Sequence, residues 1–137
     1  MSLAQLEGAL HAEQTEQGLR VVLPADTLFG NSLDTIAGDG IALLEATERL
    51  IAARHPREVF VAGHTDGIGR DDDNLVLSQR RARAVANWLR AHAKEPMRII
   101  DKGYGRTRPL APNHRADASD DPEGRQQNRR IEIYLQR

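Results

Sequence analysis

An arginine on the face of a helix that should turn inward makes the clearest chemical demand in this chain. The segment Gly63–Ala82, GHTDGIGRDDDNLVLSQRRA, runs from a strand through a polar Gly/Asp loop into a helix. On a helical wheel Leu77, Arg81, Val85, Trp88 and Leu89 fall on one side, with Arg80, Arg83, Asn87 and Arg90 opposite. A guanidinium on an apolar stripe is costly unless an acceptor meets it. Arg81 therefore asks for an anionic partner near the start of the helix, either a neighbouring carboxylate or a ligand. Fifteen positions separate it from Asp66. Spacing alone leaves a structural ion pair and a ligand site equally open.

Other residues admit other chemistry. His64, Asp66 and the run Asp71–Asp73 could serve as metal ligands, which makes a metal-dependent hydrolase the alternative function. A catalytic zinc needs three protein ligands and an open position, however, and this loop offers a single histidine among carboxylates. The spacing of a calcium-binding EF-hand loop is absent, and acids before a helix are ordinary dipole partners. A histidine at a strand end is expected to be packed and hydrogen-bonded, so no metal is assigned. Arg129 and Arg130 lie on an alternating strand, so only one of them can face a pocket. Arg129 is the choice, with Arg130 solvated or paired. The cluster Arg80, Arg81 and Arg83 does not suggest nucleic acid, because the helix has few aromatic residues for stacking. Trp88 is read as core.

The elements that would position these groups can be read from periodicity. Residues 4–17 are polar, with Leu6 and Leu10 at helical spacing, and read as a short helix or a frayed tail. Residues 1–18 are thus set aside as an N-terminal tail or linker, and 19–137 as the domain. LRVVLP (19–24) is a strand, and 25–35 a turn-rich connection. A helix follows over 36–54 with Ala37, Ile41, Leu44 and Ile51 on one face, stopped by His55-Pro56. EVFVAG (58–63) is a strand, 75–93 the second helix and MRIIDKG (97–103) a third strand. Residues 104–127 lack an apolar period and read as loop. RRIEIYLQ (129–136) alternates like a half-buried antiparallel strand. The order β-α-β-α-β-β predicts an α/β (α+β) fold: a mixed sheet with two main helices on one face.

Size and composition fit that reading. The 137 residues suffice for one domain with a hydrophobic core, and 39% are hydrophobic. Nineteen basic residues against 20 acidic ones leave no global field to draw the chain to nucleic acid or anionic lipid. No cysteine is present, which allows either redox environment. No apolar run approaches a membrane span, so this segment itself is expected to make no membrane contact, and no signal peptide is visible. Met1-Ser2-Leu3 is compatible with a leader on a domain cut from a longer protein.

Several separated blocks together resemble the OmpA-like C-terminal domain, the peptidoglycan-associating module of OmpA, the Pal lipoprotein and MotB. They are Gly63-His64-Thr65-Asp66 with Gly69, then Asn74, Leu77-Ser78, Arg81-Ala82 and Val85, and Gly103-Tyr104-Gly105. Pro109, Asn113, Gly124-Arg125 and Asn128-Arg129-Arg130-Ile131-Glu132 close the pattern, which covers about 19–136. The resemblance implies a binding module in the periplasm, part of a protein associated with the outer membrane. It implies no enzyme and no cofactor. Its ligand would be cell-wall peptidoglycan, held non-covalently through the diaminopimelate of the stem peptide. The contact would be carried by Asp66 and Arg81, with Thr65, Asn74 and Arg129 lining the pocket. A carboxylate suits the ammonium of the diaminopimelate zwitterion, and a guanidinium can grip its carboxylate with two hydrogen bonds. Without ligand, Asp66 is expected to neutralise Arg81. The sequence departs from the pattern at Ser32, where some members have a pocket asparagine, and in an acidic loop between Asn113 and Gly124. The oligomeric state is left open.

Overall fold

Alternation along the strands decides which side of the sheet is covered. The computed structural model of the protein describes residues 2–137. In chain order the elements are α1 (Leu3–Ala9), β1 (Glu13–Thr15), β2 (Gly18–Pro24), α2 (Ala25–Phe29), α3 (Gly38–Arg54), β3 (Glu58–His64), α4 (Asp71–His92), β4 (Arg98–Gly103), α5 (Pro122–Asn128) and β5 (Arg130–Gln136). The five strands form one mixed sheet in the order β1-β2-β5-β3-β4. β3 and β4 are parallel, as a helical crossover requires. The β1–β2, β2–β5 and β3–β5 pairs are antiparallel. Leu19, Val21 and Leu23 of β2, Val59 and Val61 of β3, and Ile131, Ile133 and Leu135 of β5 share one buried face. Leu44, Leu50 and Ile51 of α3 and Val85, Ala86 and Leu89 of α4 complete that core, so both main helices cover the same face. Each fully buried aliphatic side chain there contributes about 1.5–3 kcal/mol relative to exposure. Among the described residues no helix is long and apolar enough to cross a membrane.

The structure corrects the sequence reading of α4. The helix begins at Asp71, and its buried residues are Asn74, Ser78, Ala82, Val85, Ala86 and Leu89. Leu77, Arg81 and Trp88 flank this stripe at intermediate burial. The cause is close packing. Gly63 and Gly103 pair across β3 and β4. A Cβ on Gly63 would strike the Ser78 carbonyl, and one on Gly103 the Gln79 backbone and the Ser78 hydroxyl. A sheet this close admits only small side chains, so a wheel weighted by large residues is rotated away from the true contact.

Three further segments differ. Residues 3–15 form α1 and β1 and pack on the domain: Leu6 and Leu10 are buried, and β1 extends the sheet beside β2. Ser2 and Gln5 form a capping box that starts α1. Ala25–Phe29, expected as connection, is a short helix with Leu28 and Phe29 buried. Pro122–Asn128, expected as loop, is α5: Asp121 caps it by accepting from the Gly124 N–H at 2.9 Å, and Pro122 sits in its first turn. The sequence PEGRQQN has no apolar period by which to find it. In α3, Ile41 is 39% exposed, and the inward face runs through Leu44, Thr47, Glu48 and Ile51.

Candidate ligand-binding site

The loop that leaves β3 carries Thr65 and Asp66 to the sheet end where α4 starts and β5 is entered. Thr65 donates its N–H to the Gly105 carbonyl at 2.9 Å and its hydroxyl to the Asp66 carbonyl at 3.0 Å. One Asp66 oxygen accepts the Ile68 N–H at 3.0 Å. The Gly67 N–H donates to Asn113 Oδ1 at 3.1 Å, and a Cβ on Gly67 would stand 2.7 Å from the Asn113 amide. Asn74, buried on α4, donates to the Ile68 carbonyl at 2.9 Å and so ties the far side of the loop to the helix. Asn74 and Thr65 therefore hold the loop's own backbone.

Asp66 is 9% exposed, and its second oxygen accepts from Arg129 at 2.8 Å. Arg125 stands 3.7 Å away. Arg129 also forks onto both oxygens of Asp26, at 3.0 and 3.1 Å. Asp26 and Asp66 raise the Arg129 pKa against the opposing effect of burial. Arg125 is in turn gripped by Asp120 through two bonds of 2.6 Å.

The expected pairing of Arg81 with Asp66 is not formed. Arg81 donates Nε to the Leu33 carbonyl at 2.7 Å and a terminal nitrogen to the Ser32 carbonyl at 3.1 Å. Its guanidinium lies 4.9 Å from the centre of the Phe29 ring. Among the described residues no carboxylate lies within the 4.0 Å of an ion pair. Burial pulls the Arg81 pKa down and Arg129 adds to this, while Asp26, Asp34 and Asp66 pull it up. The group still stays charged at neutral pH, as guanidinium does in proteins. Arg81 is thus solvated by two carbonyls and an aromatic face, and several of its five donors are left for an anion. Ser32 takes part through its carbonyl, and its hydroxyl accepts the Thr35 N–H at 2.9 Å.

Asp66, Arg81, Arg129, Thr65 and Asn74 thus gather at one end of the sheet. The sequence reading missed Asp26, because an ion pair across 103 residues has no local signature. It placed Asn128 in a motif block but gave it no role; the residue is fully buried and accepts from the Leu110 and Ala111 N–H groups at 2.7 and 2.8 Å. Its amide donates to the Ala111 carbonyl at 2.7 Å and to Asn113 Oδ1 at 2.9 Å. Asn128 and Asn113 therefore link the end of α5, the 110–113 loop and the Asp66 loop.

The groups named for a metal do not converge. His64 is buried, stacks on Tyr104 with ring centres 5.4 Å apart, and places Nε2 3.6 Å from Glu132. Neither of its ring nitrogens is hydrogen-bonded, contrary to expectation. Asp66 is held by Arg129, and Asp71 pairs with Arg106 at 2.5 Å. Among the described residues no three histidine, cysteine or carboxylate side chains could hold one metal ion. Arg130 is paired, not solvated: it is 4% exposed and bonded to Glu132 and to the carbonyls of Asn128 and Arg108.

This architecture is shared with known proteins. The chain is 36% identical to outer membrane protein A of Bordetella avium over 85% of its own length and 57% of that protein's. It is also 36% identical to a photosystem I P700 chlorophyll a apoprotein A2 of Gloeobacter violaceus, over 98% of this chain and 16% of that one. The chain thus spans little more than half, or far less, of these curated relatives. The cell wall anchor of the T6SS from Pseudomonas aeruginosa superposes with a TM-score of 0.76 at 29% identity, covering 96% of this chain and 94% of that one. The OmpA family pattern itself matches residues 28–129, and the chain belongs to the OmpA family.

Proposed function

We propose that this domain is a binding module that anchors its parent protein to cell-wall peptidoglycan by gripping the diaminopimelate of the stem peptide. One observation carries the reading. Arg81 is a half-buried guanidinium with carbonyl and aromatic neighbours but, among the described residues, no carboxylate within 4.0 Å, and it stands at the sheet end that also holds Asp66. A zwitterion satisfies both groups: its carboxylate meets the donors of Arg81, and its ammonium meets the acceptor positions that Asp66 retains beyond Ile68 and Arg129. Arg129 holds Asp66 charged and oriented, while Thr65 and Asn74 fix the loop that presents it. The work is done by binding, with no bond made or broken. The T6SS cell wall anchor supports the reading because its chain is almost wholly this one domain. The likeness to outer membrane protein A supports a periplasmic position in an outer-membrane-associated parent.

Calorimetric titration of diaminopimelate, and of a stem peptide containing it, tests this with and without EDTA. Saturable binding is expected that ignores EDTA and falls at least tenfold in Asp66→Ala and Arg81→Ala, each of which removes a charge-assisted hydrogen bond. No binding by the wild type, or binding that requires metal, overturns the proposal. An amidated diaminopimelate, lacking the charge that Arg81 needs, is expected to bind as weakly as the Arg81 variant receives the natural one.

A further inference from the structure

The end of the sheet remote from Asp66 holds a cavity of about 270 Å³ between the last turns of α3 and α4 and the start of β4. Its walls include Ile51, Leu89, Met97 and Ile99, which belong to the main core or pack against it. An apolar occupant would therefore extend the core rather than rest on the surface. Pro56 and Pro96 also line the cavity, and His55 ends α3 in a left-handed conformation at φ 50°. Prolines fix φ, so this part of the wall is largely pre-formed.

One charged group breaks the apolar lining from within. Glu48, on the inward face of α3, is only 9% exposed and lines the cavity. Among the described residues it has no hydrogen-bond partner, and no cation stands within 4.0 Å of its carboxylate. The other charged residues on the lining, Lys94, His55 and Glu95, are all exposed, and His55 and Glu95 stand 3.6 Å from each other. Glu48 is thus largely buried while its carboxylate keeps some contact with solvent, and a cation that enters the apolar cavity it lines meets an unpaired negative charge in a poorly screened setting. We propose that this cavity is a second binding site, which takes an aliphatic ammonium group: an apolar chain seated on Ile51, Leu89 and Met97, with its charge against Glu48. Its volume is below the usual range for drug-sized ligands, which suits a single chain of this kind. The ammonium can come from a free alkylamine or from a lysine side chain of a partner. The site does not depend on the wall-binding reading, since it shares no residue with the Asp66 end.

The test is an NMR titration of the ¹⁵N-labelled domain with n-hexylammonium, n-hexanol and hexanoate. Hexylammonium is expected to saturate and to move amides in 48–56 and 89–99. Hexanol should bind more weakly, and hexanoate not at all. Glu48→Gln keeps the side-chain shape and should weaken hexylammonium about tenfold or more while leaving hexanol unchanged or improved. Ala52→Leu fills the cavity with Glu48 intact and should abolish both, whereas Arg81→Ala should alter neither. Nα-acetyl-lysine methylamide separates the sources: binding equal to hexylammonium assigns a partner's lysine, and clear preference for hexylammonium assigns a free amine. Equal binding of hexylammonium and hexanol, preference for hexanoate, or shifts that grow without saturation would overturn the proposal.

Discussion

Asp66 is neutralised by Arg129 and not by Arg81, and this can be tested on folding stability apart from any ligand. The perturbation is a pair of double-mutant cycles, Asp66→Ala with Arg129→Ala and Asp66→Ala with Arg81→Ala. The Asp66 side chain is 12% exposed and that of Arg129 26%, with 2.8 Å between them. A charge-assisted hydrogen bond in such a setting contributes about 1.5–3 kcal/mol. Arg125 at 3.7 Å and Asp26 beyond Arg129 remain as partial substitutes after either deletion. The expected coupling for Asp66 with Arg129 is therefore about 1–2 kcal/mol. Arg81 makes no ion pair with Asp66, so that cycle should return less than about 0.5 kcal/mol. Urea unfolding measures both, provided the denaturant slope stays constant among the variants. A coupling of Asp66 with Arg81 equal to or above that with Arg129 would refute the assignment and restore a direct pair between the two. The same result would weaken the wall-binding proposal, which needs Arg81 free to meet an anion.

Two other expectations follow from the buried polar groups. Asn128→Ala should cost about 3–5 kcal/mol, because it strands the Leu110 and Ala111 N–H groups and the Ala111 carbonyl, and lower Tm by roughly 10–15 °C. A Tm within about 3 °C of wild type would show that water replaces the amide without loss. Glu132 is buried on the sheet face opposite α3 and α4. Burial pushes its pKa up, but His64, Arg130 and Tyr134 together hold it well below the usual carboxylate range. A carboxylate depressed in the folded state adds stability above its unfolded value, near pH 4.3, and loses it as the pH falls through the folded value. The stability gap between wild type and Glu132→Gln should therefore be constant from neutral pH down to about 5 and narrow below that. Denaturant titrations across pH 7 to 3 check this, and a gap that widens in acid would contradict it.

What the sequence discloses about this fold depends on how large the informative side chains are. β5 declares itself because Ile131, Ile133 and Leu135 alternate along it, and β2 and β3 because short runs rich in Val, Leu and Phe are closed by Pro24 and Gly63; neither signal needs knowledge of the partner strand. The face of α4 was misjudged for the opposite reason. Its contact is made by Ser78 and Ala82 against Gly63 and Gly103, residues that carry almost no hydrophobic signal although their smallness lets helix and sheet meet. α5 escaped because a cap and a proline start it and no apolar stripe follows. The short helix α1 was one of two readings of its stretch, but its docking and β1 escaped, because two buried leucines in a polar stretch do not distinguish a docked element from a tail.

The site shows the same limit in electrostatic form. Sequence spacing finds Asp66 and Arg81 because both lie within one strand–loop–helix unit, but it cannot see which charge answers which. Asp26 meets Arg129 across most of the chain, and Arg125 reaches Asp66 from α5. Each carboxylate can be claimed by more than one guanidinium, so the pairing is decided by backbone placement. The Asp26 end of α2 is fixed to the start of β5 by the Ala25 N–H on the Arg129 carbonyl, at 3.0 Å. That bond, with the adjoining Pro24–Arg130 pair of β2 and β5, holds Arg129 beside both acids, and Asp66 pairs with it rather than with Arg81. The diversion makes functional sense. If Asp66 and Arg81 satisfied each other, a zwitterion would have to break their pair before gaining anything from either. With Arg129 holding Asp66 and carbonyls holding Arg81, both charges are oriented in advance, so under the proposed function an incoming ammonium carboxylate would meet them at little reorganisation cost.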